Sequence, residues 1–322
     1  MIKPSFAHGA NQSPDHSSPK GRPAGFLAGA AVGFLAAAVV ANLKRPCLQP
    51  SDVDVPVSTP TPTPPAEWPD YVVTDVSQVP HMVTLGVRAD GSEIGANLFI
   101  SPHALVVGRA GGGKSMVVRN YVRHALMHDF QIAAFDLKRD EFDEVASRSP
   151  DRFLGNATTV EDAAVLAGTL NEILDARFEA LETMGGSGFA DLDEGHKRIL
   201  VVVDEIGGFA PTGGKDDESR RLDGLRDDVI ANLAKVARIG RAAGIYLVVT
   251  AQRADSVLPG EFKSNLNTRI AVAKMGPTPS LMTLNTESAT SLPQVPGIAI
   301  LQVHGDEEVM KVGFVEPDAL TQ

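Results

Sequence analysis

The chain has 322 residues, 43% of them hydrophobic, enough for one large α/β domain with appendages or for two ordinary domains. With 40 acidic against 29 basic side chains the formal net charge is -11. That excludes a broad basic surface that would coat itself in nucleic acid and leaves open only a local basic lining. The single cysteine, Cys47, excludes an intramolecular disulfide and fits a reducing compartment, and eight scattered histidines form no Cys/His metal-ligand pattern.

Residues 1–23 are rich in Ser, Pro, Gly and Asn and predict a disordered tail. Residues 24–43 carry no charge and are long enough to cross a bilayer as a helix. Small residues such as Gly25 and Gly29 would suit close helix packing. A membrane anchor is the expectation; a cleaved signal peptide and a buried or surface helix are the competing readings. Lys20 and Arg22 on one side nearly balance Lys44 and Arg45 on the other, so charge bias does not set orientation. If the anchor holds, the expectation is a single-pass protein of the cell membrane with the mass C-terminal to the span in the cytoplasm. Residues 44–70, with their Pro-Thr-Pro-Thr-Pro-Pro run, predict an extended linker, and residues 71–322 a globular domain.

Residues 83–98 read as two strands around an Asp90-Gly91 turn. The apolar run Ala104-Leu105-Val106-Val107 then leads into Gly108-Arg109-Ala110-Gly111-Gly112-Gly113-Lys114-Ser115, spacing G-x-x-x-x-G-K-S, with helical periodicity after it. Glycines let the backbone turn tightly and aim N–H groups at phosphate oxygens. The expected nucleotide contacts are Gly108, Gly111, Gly112, Gly113, Lys114, Ser115 and Met116. Lys114 reaches the β- and γ-phosphates of ATP, and the Ser115 hydroxyl ligates Mg²⁺. Residues 132–136 read as a second buried strand and residues 161–183 as an amphipathic helix with Leu166, Leu170, Ile173, Leu174 and Leu181 on one face.

Ile199-Leu200-Val201-Val202-Val203 followed by Asp204-Glu205 is a strand buried on both faces with two acids at its C-terminal end, where open α/β sheets bind ligands. Asp204 is placed to hold the Mg²⁺ shell and Glu205 to act as general base on the attacking water. Residues 207–224 read as a loop, either simply solvated or mobile and facing nucleic acid. Residues 226–241 read as a helix with Val229, Leu233, Val236 and Gly240 inward. Residues 245–250 form a fourth strand, followed by Gln252 as a sensor of the γ-phosphate. A fifth strand covers 267–272, and residues 297–303 and 309–315 form a closing hairpin. The fold class that follows is α/β, a P-loop NTPase core on a mostly parallel, doubly wound sheet.

Several separated stretches in order resemble the motor domain of the FtsK/SpoIIIE family of DNA translocases. They are Leu85-Gly86 with Asp90-Gly91, the lead-in Pro102 to Gly108, Asp136-Leu137-Lys138, Asp175-Ala176-Arg177-Phe178 and Val203-Asp204-Glu205. Arg241-Ala242-Ala243-Gly244-Ile245, Ala251-Gln252-Arg253 and Asn267-Thr268-Arg269-Ile270 complete the set. The resemblance spans about residues 85–315. It implies a RecA-like core, a homo-oligomeric hexameric ring, and ATP hydrolysis that drives double-stranded DNA through a pore. It also implies an arginine donated in trans. Arg238, Arg241 and Arg269 are the candidates, although Arg238 and Arg241 could equally cap their helix or pair with acids. The family's multi-pass membrane region and C-terminal winged-helix domain have no counterpart in this sequence. A minimal motor of this kind suits a mobile element or phage, or a membrane or DNA-loading partner that supplies the missing parts. Type VII-like protein export motors resemble the same family, and a nucleotide-binding scaffold without turnover is the third reading.

Overall fold

A computed structural model describes residues 67–69, 72–139, 141–253 and 258–320. The expected tail, the anchor at 24–43 and most of the linker lie outside these residues. Among the described residues no helix is long and apolar enough to cross a membrane.

The strands are β1 (Met82–Val87), β2 (Glu93–Asn97), β3 (His103–Val107), β4 (Gln131–Phe135), β5 (Phe153–Ala157), β6 (Ile199–Val203), β7 (Ile245–Ala251), β8 (Thr268–Val272), β9 (Ile298–Val303) and β10 (Asp306–Val312). The helices are α1 (Lys114–Met127), α2 (Asp143–Arg148), α3 (Val160–Met184), α4 (Asp217–Ile239), α5 (Gly260–Ser264) and α6 (Pro277–Leu284). One sheet holds all the strands in the order β2-β1-β10-β9-β8-β3-β7-β6-β4-β5. From β8 to β5 every pairing is parallel; from β2 to β8 every pairing is antiparallel.

The sheet is therefore mixed, and the expectation of a mostly parallel sheet holds only for its nucleotide-binding half. The first hairpin and the closing hairpin dock on each other through Gly86 opposite Val312 and extend the sheet. Neither hairpin's sequence specifies that pairing, which only tertiary contact decides.

Alternation along the central strands splits the core. Val106 and Val248 face α1 with Val117, Tyr121 and Val122, while Leu105 and Leu247 face α3 and α4 with Leu170, Leu174, Leu233 and Val236. Helices thus cover both faces of the parallel half, and every strand there delivers its C-terminal end to one edge.

Residues 217–224, expected in a loop, are the first two turns of α4. The Asp216 side chain caps them by accepting the Ser219 N–H at 2.8 Å, and Asp217 and Glu218 occupy the positive end of the helix dipole. Pairs between Arg220 and Asp217 and between Arg221 and Glu218 hold the exposed face. Their polarity conceals the helix in the sequence.

Arg177, in the predicted long helix α3, is buried. It donates to the Ala243 carbonyl at 2.6 Å and the Lys197 carbonyl at 2.6 Å, tying α3 to the turns that enter β7 and β6. Removing it strands both carbonyls, so Arg177→Ala should lose about 2–4 kcal/mol of stability, read as a lower denaturation midpoint in urea.

Candidate nucleotide-binding site

β3 is buried along its whole length and ends at Val107, so the chain leaves the sheet at Gly108 and re-enters regular structure at Lys114. Gly113 sits at φ 112, and a Cβ there would lie 3.0 Å from the Gly297 nitrogen. Gly111 has φ 71, and a Cβ on Gly108 would meet the Val272 carbonyl at 2.7 Å. Only glycine fits such positions without strain. The loop is also tied from outside, since Gly297 donates to the Gly112 carbonyl at 2.9 Å. No side chain caps α1, so its first N–H groups and its positive dipole end face the cavity.

That cavity measures about 580 Å³, a size that suits a nucleotide. Ala110, Gly111, Gly113, Lys114, Ser115 and Met116 form its floor. Across it stand Lys138, Glu141, Asp204 and Gln252. Lys114 Nζ donates to the Gly108 carbonyl at 2.6 Å, and burial lowers its pKa while the nearby Glu205 and Asp204 charges oppose the shift.

The two acids at the end of β6 are held differently. Asp204 Oδ1 accepts the Thr250 hydroxyl at 3.1 Å. Glu205 has φ 59, rare for a residue with a side chain, and its N–H donates to Thr250 Oγ1 at 2.8 Å. Its Oε1 accepts the Gln252 backbone N–H at 3.1 Å, while Oε2 is buried with no hydrogen-bond partner. Thr250, buried at the end of β7, therefore orients both acids at once. A hydroxyl closing an apolar strand beside such a pair was the sequence signal for it.

A hydrogen-bonded oxygen and a bare one suit a general base, which must be fixed in place and still offer a lone pair to water. The Ser115 hydroxyl and the Asp204 carboxylate are hard oxygen donors of the kind Mg²⁺ takes. Among the described residues no group of three or more His, Cys, Asp or Glu side chains is arranged to hold a metal ion. When bound, Mg²⁺ would neutralise phosphate charge.

Burial raises the Asp204 pKa above the usual carboxylate range, with Lys138 pulling it back. A raised folded pKa adds stability only below the ordinary carboxylate range and loses it as pH climbs, so ionised Asp204 costs stability at neutral pH. Asp204→Asn should abolish turnover and melt no lower than the parent at pH 7.5. Its advantage should shrink at pH 4.5, as differential scanning calorimetry would record.

The arginines expected to act in trans lie outside this cavity's lining. Arg238 is exposed, 3.7 Å from Glu261. Arg241 precedes β7, at the strand end opposite the acids, and donates to the Phe99 carbonyl at 3.4 Å. Arg269 is half-buried and donates to the Thr283 carbonyl at 3.3 Å. The residues that sequence reasoning missed are Thr250, Lys138, Glu141 and the wall formed by Pro296, Gly297, Lys311 and Phe314.

No family model matches the chain. It is 32% identical over 165 residues to a sporulation regulatory protein of Streptomyces azureus, covering 51% of this chain and 52% of that protein. It is 26% identical over 236 residues to the DNA translocase FtsK of Streptomyces avermitilis, covering 66% of this chain and 25% of that one. For the DNA translocase SpoIIIE of Bacillus subtilis the identity is 27% over 231 residues, with 66% and 28% covered. The chain thus spans from about a quarter to about half the length of these curated relatives. Among solved structures, the pCW3 conjugation coupling protein TcpA with ATPγS superposes with a TM-score of 0.71 at 26% identity, covering 79% of this chain and 72% of that one. The type VII secretion ATPase EccC of Thermomonospora curvata shares the fold, with a TM-score of 0.58 at 19% identity over 79% of this chain and 32% of that one. Glycine loop, acid pair and relatives agree: the chain carries a P-loop ATPase on a mixed α/β, RecA-like core, similar to the motor domains of the FtsK/SpoIIIE family.

Proposed function

We propose that this protein is an ATP-driven translocase of double-stranded DNA, working in DNA transfer or segregation. The observation that carries the reading is the convergence of Lys114, Ser115, Asp204 and Gln252 on one nucleotide-sized cavity, with Glu205 held beside Gln252, in a chain whose relatives include proteins named DNA translocases. Mg²⁺ and ATP bind at the glycine loop. Glu205 takes a proton from the attacking water as the bond from the γ-phosphorus to its bridging oxygen breaks, and Gln252 senses the γ-phosphate.

The protein acts as a homo-oligomer, a hexameric ring in which Arg238, Arg241 or Arg269 of one subunit completes the site of the next. Residues 24–43 tether the motor to the cell membrane, with the globular part in the cytoplasm. The likeness to a conjugation coupling protein favours passage of DNA between cells, in a mobile-element or phage setting and with a membrane or DNA-loading partner. The EccC likeness, at 19% identity, supports the shared fold and keeps protein export as the second reading.

ATP hydrolysis by the full chain, with and without long linear duplex at low and moderate salt, tests the choice. Several-fold stimulation by duplex, weakening as salt rises, is expected, because few phosphate contacts on an acidic protein leave binding salt-sensitive. Turnover that ignores duplex and rises with a polypeptide cargo would replace this reading with export.

A further inference from the structure

Lys138 stands at the nucleotide cavity beside both acids. It lines the nucleotide cavity, with its ammonium 3.7 Å from Glu205 Oε2 and 3.9 Å from Asp204 Oδ2. Neither distance is a hydrogen bond. Each is a charge contact that leaves the three donors of an ammonium able to take stronger acceptors.

Its mount is rigid and its stem is not. Asp136, fully buried at the end of β4, accepts the Glu141 N–H at 3.0 Å and the Phe142 N–H at 3.3 Å, while Arg139 donates to the Asp136 carbonyl at 3.1 Å. The turn that carries Lys138 is thus locked to the sheet. The side chain itself is 44% exposed and runs on a flexible four-carbon stem. Burial is the main cause of the lowered Lys114 pKa, and the Lys138 charge adds to it, so the two ammonium groups are near enough to act on one bound anion. A Mg²⁺-bound triphosphate would bring about two net negative charges beside these ammonium groups.

We propose that Lys138 is a second cationic contact to the γ-phosphoryl group, supplied by the same chain. When a triphosphate binds, the ammonium moves from the acids to the γ-phosphate oxygens and leaves Glu205 Oε2 open to water. When only a diphosphate remains, it returns to the acids. The inference rests on the nucleotide-site reading above and adds to it a means of distinguishing ATP from ADP.

The test compares ATPγS and ADP binding by the full chain, alongside single-turnover ATP hydrolysis, for the wild type, Lys138→Met and Lys138→Arg. For Lys138→Met, ATPγS affinity should fall at least about tenfold, ADP affinity should stay within about twofold, and turnover should fall by about 100-fold. Lys138→Arg should recover most of the ATPγS preference. A merely structural lysine would move both affinities together or neither. Equal ATPγS affinity in Lys138→Met and wild type, or equal losses for both nucleotides, would overturn the proposal. A wild-type chain that binds neither nucleotide would overturn the nucleotide-site reading, and this inference with it.

Discussion

Glu205→Gln is expected to bind ATP and hold it while hydrolysis falls by about 10²- to 10⁴-fold, the usual contribution of a positioned general base. The substitution is nearly isosteric. A glutamine oxygen can still accept the Gln252 N–H that Glu205 Oε1 accepts at 3.1 Å, and the left-handed backbone is still held by Thr250. What disappears is the anionic Oε2, buried and without a hydrogen-bond partner, which is the atom proposed to take a proton from water. Losing a carboxylate near two ammonium groups should, if anything, tighten binding of an anionic nucleotide. Rapid-mixing hydrolysis and filter retention of labelled ATP separate the two effects. Hydrolysis near the parental rate would remove Glu205 from the chemistry.

Lys114→Ala should fail earlier in the cycle. Nucleotide affinity is expected to drop by about 10- to 100-fold, the worth of a charged hydrogen bond of about 1.5–3 kcal/mol, and turnover should become undetectable. Lys114 is the first residue of α1, and alanine is a better helix former, so the fold should persist. Burial lowers its pKa and so disfavours the cation, which offsets the lost bond to the Gly108 carbonyl and leaves stability near that of the parent. An unchanged melting temperature with lost binding, by calorimetry, would separate site damage from misfolding.

The parts of this site legible in the sequence are those built from one contiguous stretch. The buried strand β3, the glycine loop and α1 follow one another without a break, and β6 delivers Asp204 and Glu205 directly from its apolar run. Gln252 could be placed because it follows the buried strand β7. The wall opposite the loop was hidden because it is assembled across the chain. Gly297 reaches the Gly112 carbonyl only because β9 and β10 fold back beside β8, and Lys311 enters the cavity from that antiparallel extension. Thr250 was read as the end of a strand, since its value lies in two partners some 45 residues earlier. The first turns of α4 were read as loop because a polar, capped helix start shows little apolar periodicity. The edge strand β5, only partly buried, gave no run of apolar residues to detect.

Movement along DNA can be read directly. A linear duplex carrying a short third strand bound as a triplex is mixed with the full chain, Mg²⁺ and ATP. Release of the third strand that requires hydrolysis and is abolished by Glu205→Gln is expected. Vigorous ATP turnover with the third strand still in place would contradict movement along DNA.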